Sequence, residues 1–232
     1  MNWLKNNKRK ILLTLFLMTE AVLYGLILTS GGKLLIWSEY ISIILCFLFS
    51  LFCFQKPLLI GGLALTLCAD FCLVICDPIQ QLWGMVFFLG AQTFYAAHLH
   101  VYDKRASLLI IRLVLTIAGL GIALLVLGEN VDALALVSIA YYANLIMNLI
   151  VSATQWKKCK LLPIGFLLFI LCDTVIGLQV ASMGYLPIAE GSFLHKLIFM
   201  PFNLSWFFYL PSQVLIALSC LRKGANNENK KK

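Results

Sequence analysis

Apolar residues run through this chain in long blocks separated by short polar gaps. Eight blocks can be counted, at 11–29, 38–54, 57–76, 81–101, 107–127, 131–154, 161–183 and 197–221. Each is close to the ~20 residues that cross a ~30 Å hydrocarbon core as a helix. The pattern therefore predicts an all-α fold, a polytopic transmembrane bundle of eight helices. The organisation expected is a basic N-terminal segment over 1–10, one membrane domain over 11–221 and a basic tail over 222–232. The gaps leave no room for an extramembrane domain, so any chemistry belongs in or at the bilayer. The first block follows Lys5, Lys8, Arg9 and Lys10, as a secretory signal would. It is too long for one, carries Glu20 and lacks a small-x-small cleavage site, so a retained helix is expected.

Composition narrows the class further. Of 232 residues, 62% are apolar and 12% charged, more hydrocarbon than a soluble domain of this size needs. The net charge of +8 is topological information rather than a nucleic-acid signal. Placing Lys and Arg on alternate sides of eight spans puts fifteen with the termini and even-numbered loops. The other side has Lys33 and Lys196, and Arg112 falls inside a block. That asymmetry predicts both termini in the cytoplasm of a multi-pass protein of the cell (plasma) membrane, with the Lys230–Lys232 end solvated. The eight cysteines lie in spans or near the reducing side, so no disulfide framework is expected. Cys68, Cys72 and Cys76 recur every fourth residue, but no second cluster accompanies them. They read as packing residues, and no metal or cofactor is expected.

Against this background two acids stand out. Asp70 and Asp173 interrupt two of the most apolar blocks. A charge at a helix centre costs roughly 2.5–3.5 kcal/mol on insertion scales, so an intramembrane Asp is a functional candidate by default. At 1.5 Å per residue they lie about 20 and 18 Å from the same membrane edge. Glu20, Gln92, Tyr95, Tyr209 and Gln213 fall in the same broad layer. The expectation is a shared polar cavity, open to lipid and lined by the third, fourth, seventh and eighth spans. Arg112, about 8 Å deep, either snorkels to the headgroups or turns inward, where it would suit a phosphate. Pro211, between Tyr209 and Gln213, cannot donate to the helix ladder and should free a carbonyl there.

The same residues resemble the YhhN-type lysoplasmalogenase family. Lys56-Pro57 is similar to the Lys-Pro that opens its third helix, and Asp70 falls at its first aspartate, with Ala69 where the family has Gly. Gly84-x3-Phe88-x3-Gln92-x2-Tyr95 is similar to Gly-x3-Phe-x3-His-x2-Tyr, with Gln92 in place of histidine. Gly165-x3-Phe169-x3-Asp173 and Tyr209-x3-Gln213 complete the series, which runs from about Lys56 to Ser219.

The resemblance implies a membrane hydrolase that cleaves the vinyl ether of lysoplasmalogens to a fatty aldehyde and a glycerophospho-alcohol. Asp70 and Asp173 would be the catalytic pair. Arg112, Lys56, Gln92, Tyr95, Tyr209, Gln213 and Glu20 would contact a lysophospholipid substrate. Of the two cations, Arg112 starts closer than Lys56, which is 14 residues, ~21 Å of ideal helix, from Asp70. The partners expected are that lipid and the bilayer, and no nucleic acid. The rival class is a lipid-binding protein or small transporter whose aspartates bind protons or a cation.

Overall fold

The computed structural model describes residues 2–53, 55–128, 131–182 and 188–221. Helices occupy all eight windows: α1 Asn2–Thr29, α2 Gly32–Cys53, α3 Pro57–Asp70, α4 Gln81–His100, α5 Ala106–Leu127, α6 Ala133–Thr154 and α7 Leu161–Ser182, then the short α8 Phe193–Ile198 and α9 Leu204–Leu218. No strand occurs among the described residues. The expected basic tail, with Arg222, Lys223 and Lys230–Lys232, lies outside them.

Six helices, α1, α2, α3, α5, α6 and α7, are long and apolar enough by length and composition to cross a membrane, and α9 is a shorter apolar helix. α4 is long enough, but Gln92, Thr93, Tyr95, His98 and His100 make it less apolar than the six. The eighth block departs from expectation. It is not one helix over 197–221, because the chain breaks between α8 and α9. Pro201 lacks an N–H and drives Met200 out of the helical region. Asn203 then restarts the helix, its side-chain oxygen accepting from the Trp206 N–H at 3.3 Å.

Side chains are distributed inside out relative to a soluble protein. Ile110, Leu113, Ile117, Ile122 and Leu125 on α5 are each more than half exposed. Glu20, Glu39, Asp70, Gln92, Asn148 and Gln213 are buried. In water this would be unstable, whereas in hydrocarbon it puts polar groups where only protein can satisfy them. The pattern is that of a multi-pass integral membrane protein.

Close helix approach comes from glycine, as expected where lipid already solvates apolar side chains. A Cβ on Gly62 of α3 would sit 2.1 Å from the Tyr95 ring of α4. One on Gly165 of α7 would come within 3.2 Å of the Ser212 carbonyl oxygen on α9. α3 runs unbroken through Gly61 and Gly62.

α9 is fastened along its length. The carbonyl of Phe207 loses its helical donor because Pro211 has no N–H, and the Tyr24 hydroxyl of α1 donates to it at 3.1 Å. Lys56 Nζ, at the start of α3, donates to the Ser219 carbonyl oxygen at 2.6 Å. Tyr24→Phe should therefore lower stability by about 1 kcal/mol, the net worth of one hydrogen bond. Thermal unfolding in detergent measures it, and an unchanged midpoint would show that the freed carbonyl needs no donor.

Candidate active site

Asp70 ends α3, thirteen residues after the chain enters at Pro57. Beyond it the helix widens into a π-turn over Phe71–Ile75, closed by the Cys76 N–H on the Phe71 oxygen at 3.0 Å. Such widened turns concentrate at functional positions. Asp70 is 3% exposed, and its Oδ2 accepts from the Tyr209 hydroxyl at 2.6 Å. Tyr209 is placed by the start of its own helix. Asn203 caps α9 with its oxygen and uses its Nδ2 to donate to Glu39 Oε1 on α2 at 3.1 Å. Glu39 is itself buried and within electrostatic reach of Asp70.

Asp173, half-buried on α7, has the corresponding arrangement from another direction. Its Oδ2 accepts from the hydroxyl of Tyr141 on α6. The neighbouring Tyr142 hydroxyl meets the Thr174 hydroxyl at 2.9 Å, so adjacent residues latch α6 to α7. Each aspartate thus uses one oxygen, Oδ2, for a phenol. Phe88 of α4 joins the two pairs, with its ring centroid 5.5 Å from Tyr141, 5.7 Å from Phe169 and 6.3 Å from Tyr209. Phe169 closes the cluster on Tyr209 at 5.3 Å. The two carboxyls are within electrostatic reach of each other. Apolar walls exclude water and so strengthen whatever charge interaction the acids make.

A second polar construction lies beside the first. Arg112 of α5 donates through Nη1 to Asn144 Oδ1 at 2.7 Å and through Nη2 to Asn148 Oδ1 at 2.8 Å. Asn148 passes a hydrogen bond on, its Nδ2 donating to Gln92 Oε1 at 2.8 Å. A guanidinium only donates, so this chain has a fixed direction. The Asn148 oxygen must face Arg112, its amine must face Gln92, and the Gln92 oxygen is thereby engaged. Gln92 Nε2 remains a buried donor without a partner among the described residues.

The other expected site residues lie further off. Tyr95 is fully buried, with its hydroxyl on Thr66 at 3.3 Å and its ring 5.6 Å from Phe166. Gln213 meets the Ser212 hydroxyl at 3.2 Å. Glu20 accepts from Cys46 Sγ at 3.6 Å between α1 and α2. Lys56 clasps the end of α9. Beside the two aspartates the rings of Phe88, Phe169, Tyr141 and Tyr209 pack against one another. A shallow cleft lies where α4, α5 and α6 meet, against Ala96, His100, Arg112 and Val151. No group of three or more His, Cys, Asp or Glu is placed to hold a metal among the described residues.

Four participants escape a reading of the sequence: Tyr141, Asn144, Asn148 and Glu39. The first three are uncharged and carry no obvious insertion cost. Yet their spacing of three and four residues puts them on one face of α6, a signal that helix periodicity alone carries.

Acids paired with phenols inside a helical bundle with an apolar exterior define a membrane protein with a buried acidic site. The chain belongs to the YhhN family, whose sequence profile matches residues 36–220 and so takes in every helix that supplies the two pairs. No curated protein matches the chain, and no solved structure does.

Proposed function

We propose that the chain is a lysoplasmalogenase-like hydrolase of the cell membrane, its eight blocks all crossing the bilayer and its termini cytoplasmic. Membership of the YhhN family supports the class. The observation that carries the chemistry is the pair of aspartates, each taking a phenol on one oxygen and joined through one ring cluster.

Vinyl-ether hydrolysis begins with transfer of a proton from an acid to the alkene carbon farther from the ether oxygen. The ether oxygen supplies the electrons, and an oxocarbenium ion forms. One carboxyl of the pair delivers that proton, and the other, ionised, stabilises the cation, the division of labour that two carboxyls perform on sugars. Water adds to the cationic carbon and gives up a proton to the pair. The hemiacetal then collapses to a fatty aldehyde and a glycerophospho-alcohol, with no net proton consumed. The phenols hold both carboxyls in place while leaving one oxygen of each for the reaction.

Position 92 does not obstruct this reading. Gln92 accepts from Asn148 and has a donor left over, as a neutral imidazole would, and the proton chemistry is assigned to the aspartates. The test is aldehyde release by the purified protein in lipid. A vinyl-ether lysophospholipid should yield aldehyde and glycerophospho-alcohol in equal amounts. The saturated alkyl ether, which offers no alkene to protonate, should yield none. Absence of aldehyde from the vinyl ether defeats the proposal.

A further inference from the structure

Arg112 is a half-buried guanidinium held entirely by neutral groups. Its fork rests on the side-chain oxygens of Asn144 and Asn148, and among the described residues no carboxylate is in ion-pair contact with it. Amide oxygens orient a guanidinium without neutralising it, so the charge stays available to an anion. Arg112 also forms part of the wall of the shallow cleft between α4, α5 and α6. Asp103 stands at the same cleft, but Arg105 grips its carboxylate at 2.6 Å and holds its pKa below the usual range. The ionised Asp103 is thus balanced by Arg105, and that pair adds no net negative charge to the rim.

The cleft and the ring cluster share two helix faces. On α4, Phe88, Gln92, Ala96 and His100 follow one another at four-residue spacing, from the cluster to the cleft. On α6 the series is Tyr141, Asn144, Asn148 and Val151. Tyr141 holds Asp173, and the fork of Arg112 spans positions three and seven residues further on, roughly 5–10 Å along the axis. In a lysophospholipid only the glycerol backbone separates the phosphate from the ether at the head of the chain. Gln92, whose buried Nε2 has no hydrogen-bond partner among the described residues, lies on the same face of α4, one turn from Phe88.

We infer that Arg112, oriented by Asn144 and Asn148, binds the phosphate of a lysophospholipid headgroup resting over this cleft, and so sets the register that brings the ether to the aspartates. The assignment deepens the hydrolase reading and rests on it for the identity of the lipid. Lys56, fastened to α9, takes no part.

The experiment measures binding rather than turnover. The probes are a 1-O-alkyl lysophospholipid, which is not cleaved, and the alkylglycerol of the same chain length, offered to the detergent-solubilised protein. The wild type should prefer the phospholipid, and Arg112→Gln should reduce that preference by roughly tenfold or more, the worth of hydrogen bonds to a charged group. Arg112→Lys keeps the charge but not the fork, and its preference should fall in between. It also covers the case in which Arg112→Gln does not fold. Millimolar inorganic phosphate is the second arm: displacement of the phospholipid supports an anion site that also accepts free phosphate, and resistance supports one that needs the lipid. An undiminished preference in whichever variant folds overturns the assignment. Failure of the hydrolase reading looks different, namely no aldehyde from the vinyl ether while the Arg112-dependent preference persists.

Discussion

Asp70→Asn and Asp173→Asn are each expected to cut aldehyde release from a lysoplasmalogen by at least about 10²-fold, the lower end of what a positioned acid or base contributes. The structure makes these clean substitutions. Asparagine retains an oxygen that accepts from Tyr209 or Tyr141, so the helix-to-helix hydrogen bonds survive. The amide can neither pass a proton to carbon nor place a negative charge beside a cation. Both capacities are lost without disturbing the ring cluster around Phe88. Melting temperature should hold or rise slightly, because burying a carboxyl is costly and the amide removes that cost. If the acids serve only to fasten helices, the pattern reverses, with a lowered melting temperature and full turnover per folded molecule. A well-folded Asn variant with wild-type turnover would falsify the assigned chemistry.

Gly62→Ala should be severely destabilising, while its neighbour Gly61→Ala should be mild. Added Cβ atoms clash in both cases, 2.1 Å from Tyr95 at Gly62 and 2.6 Å from Phe94 at Gly61. What differs is whether the obstructing ring can yield. Phe94 is 39% exposed and can swing outward. Tyr95 is fully buried, backed by Phe166 and tied to Thr66 through its hydroxyl, so α3 and α4 must separate instead. Overpacking of this kind typically costs about 1–3 kcal/mol, and a blocked ring places Gly62→Ala toward the upper end. Thermal unfolding of the two variants side by side tests the argument. Equal midpoints would show that Tyr95 has more room than its packing implies.

Charge is what makes the site legible in the sequence. Asp70 and Asp173 are conspicuous because an acid in a span has no inexpensive explanation, and depth alone places Tyr209 in their layer. The pairing of each acid with a particular phenol is not readable, since it depends on which helices touch. Tyr141 belongs to α6, a helix the depth argument leaves out. Glu39 sits one residue inside the predicted edge of its block, where an acid looks interfacial, although α2 begins at Gly32 and buries it. The rings are not readable either: polar residues at one depth predict a polar layer, but not the aromatic cluster around Phe88 that packs beside it. The break before α9 is foreshadowed by Pro201, and the rescue of the Phe207 carbonyl by Tyr24 is not, because sequence reveals a lost donor more readily than its replacement.

The hydrogen bond between Tyr209 and Asp70 joins residues 139 positions apart. During synthesis, then, α3 must enter the bilayer long before its phenol has been made. In that interval Asp70 is an acid in hydrocarbon with its eventual donor still untranslated, a cost that the apolar residues of its own span must offset. Its early neighbours have to shelter it, and α2, which carries Glu39 and precedes it, is the first in place. Among the described helices, the acidic site is consequently completed by α9, the last of them in chain order. A nascent chain stalled before α9 therefore holds both acids but not the phenol that Asp70 accepts from, so the buried pair is assembled only when that helix docks.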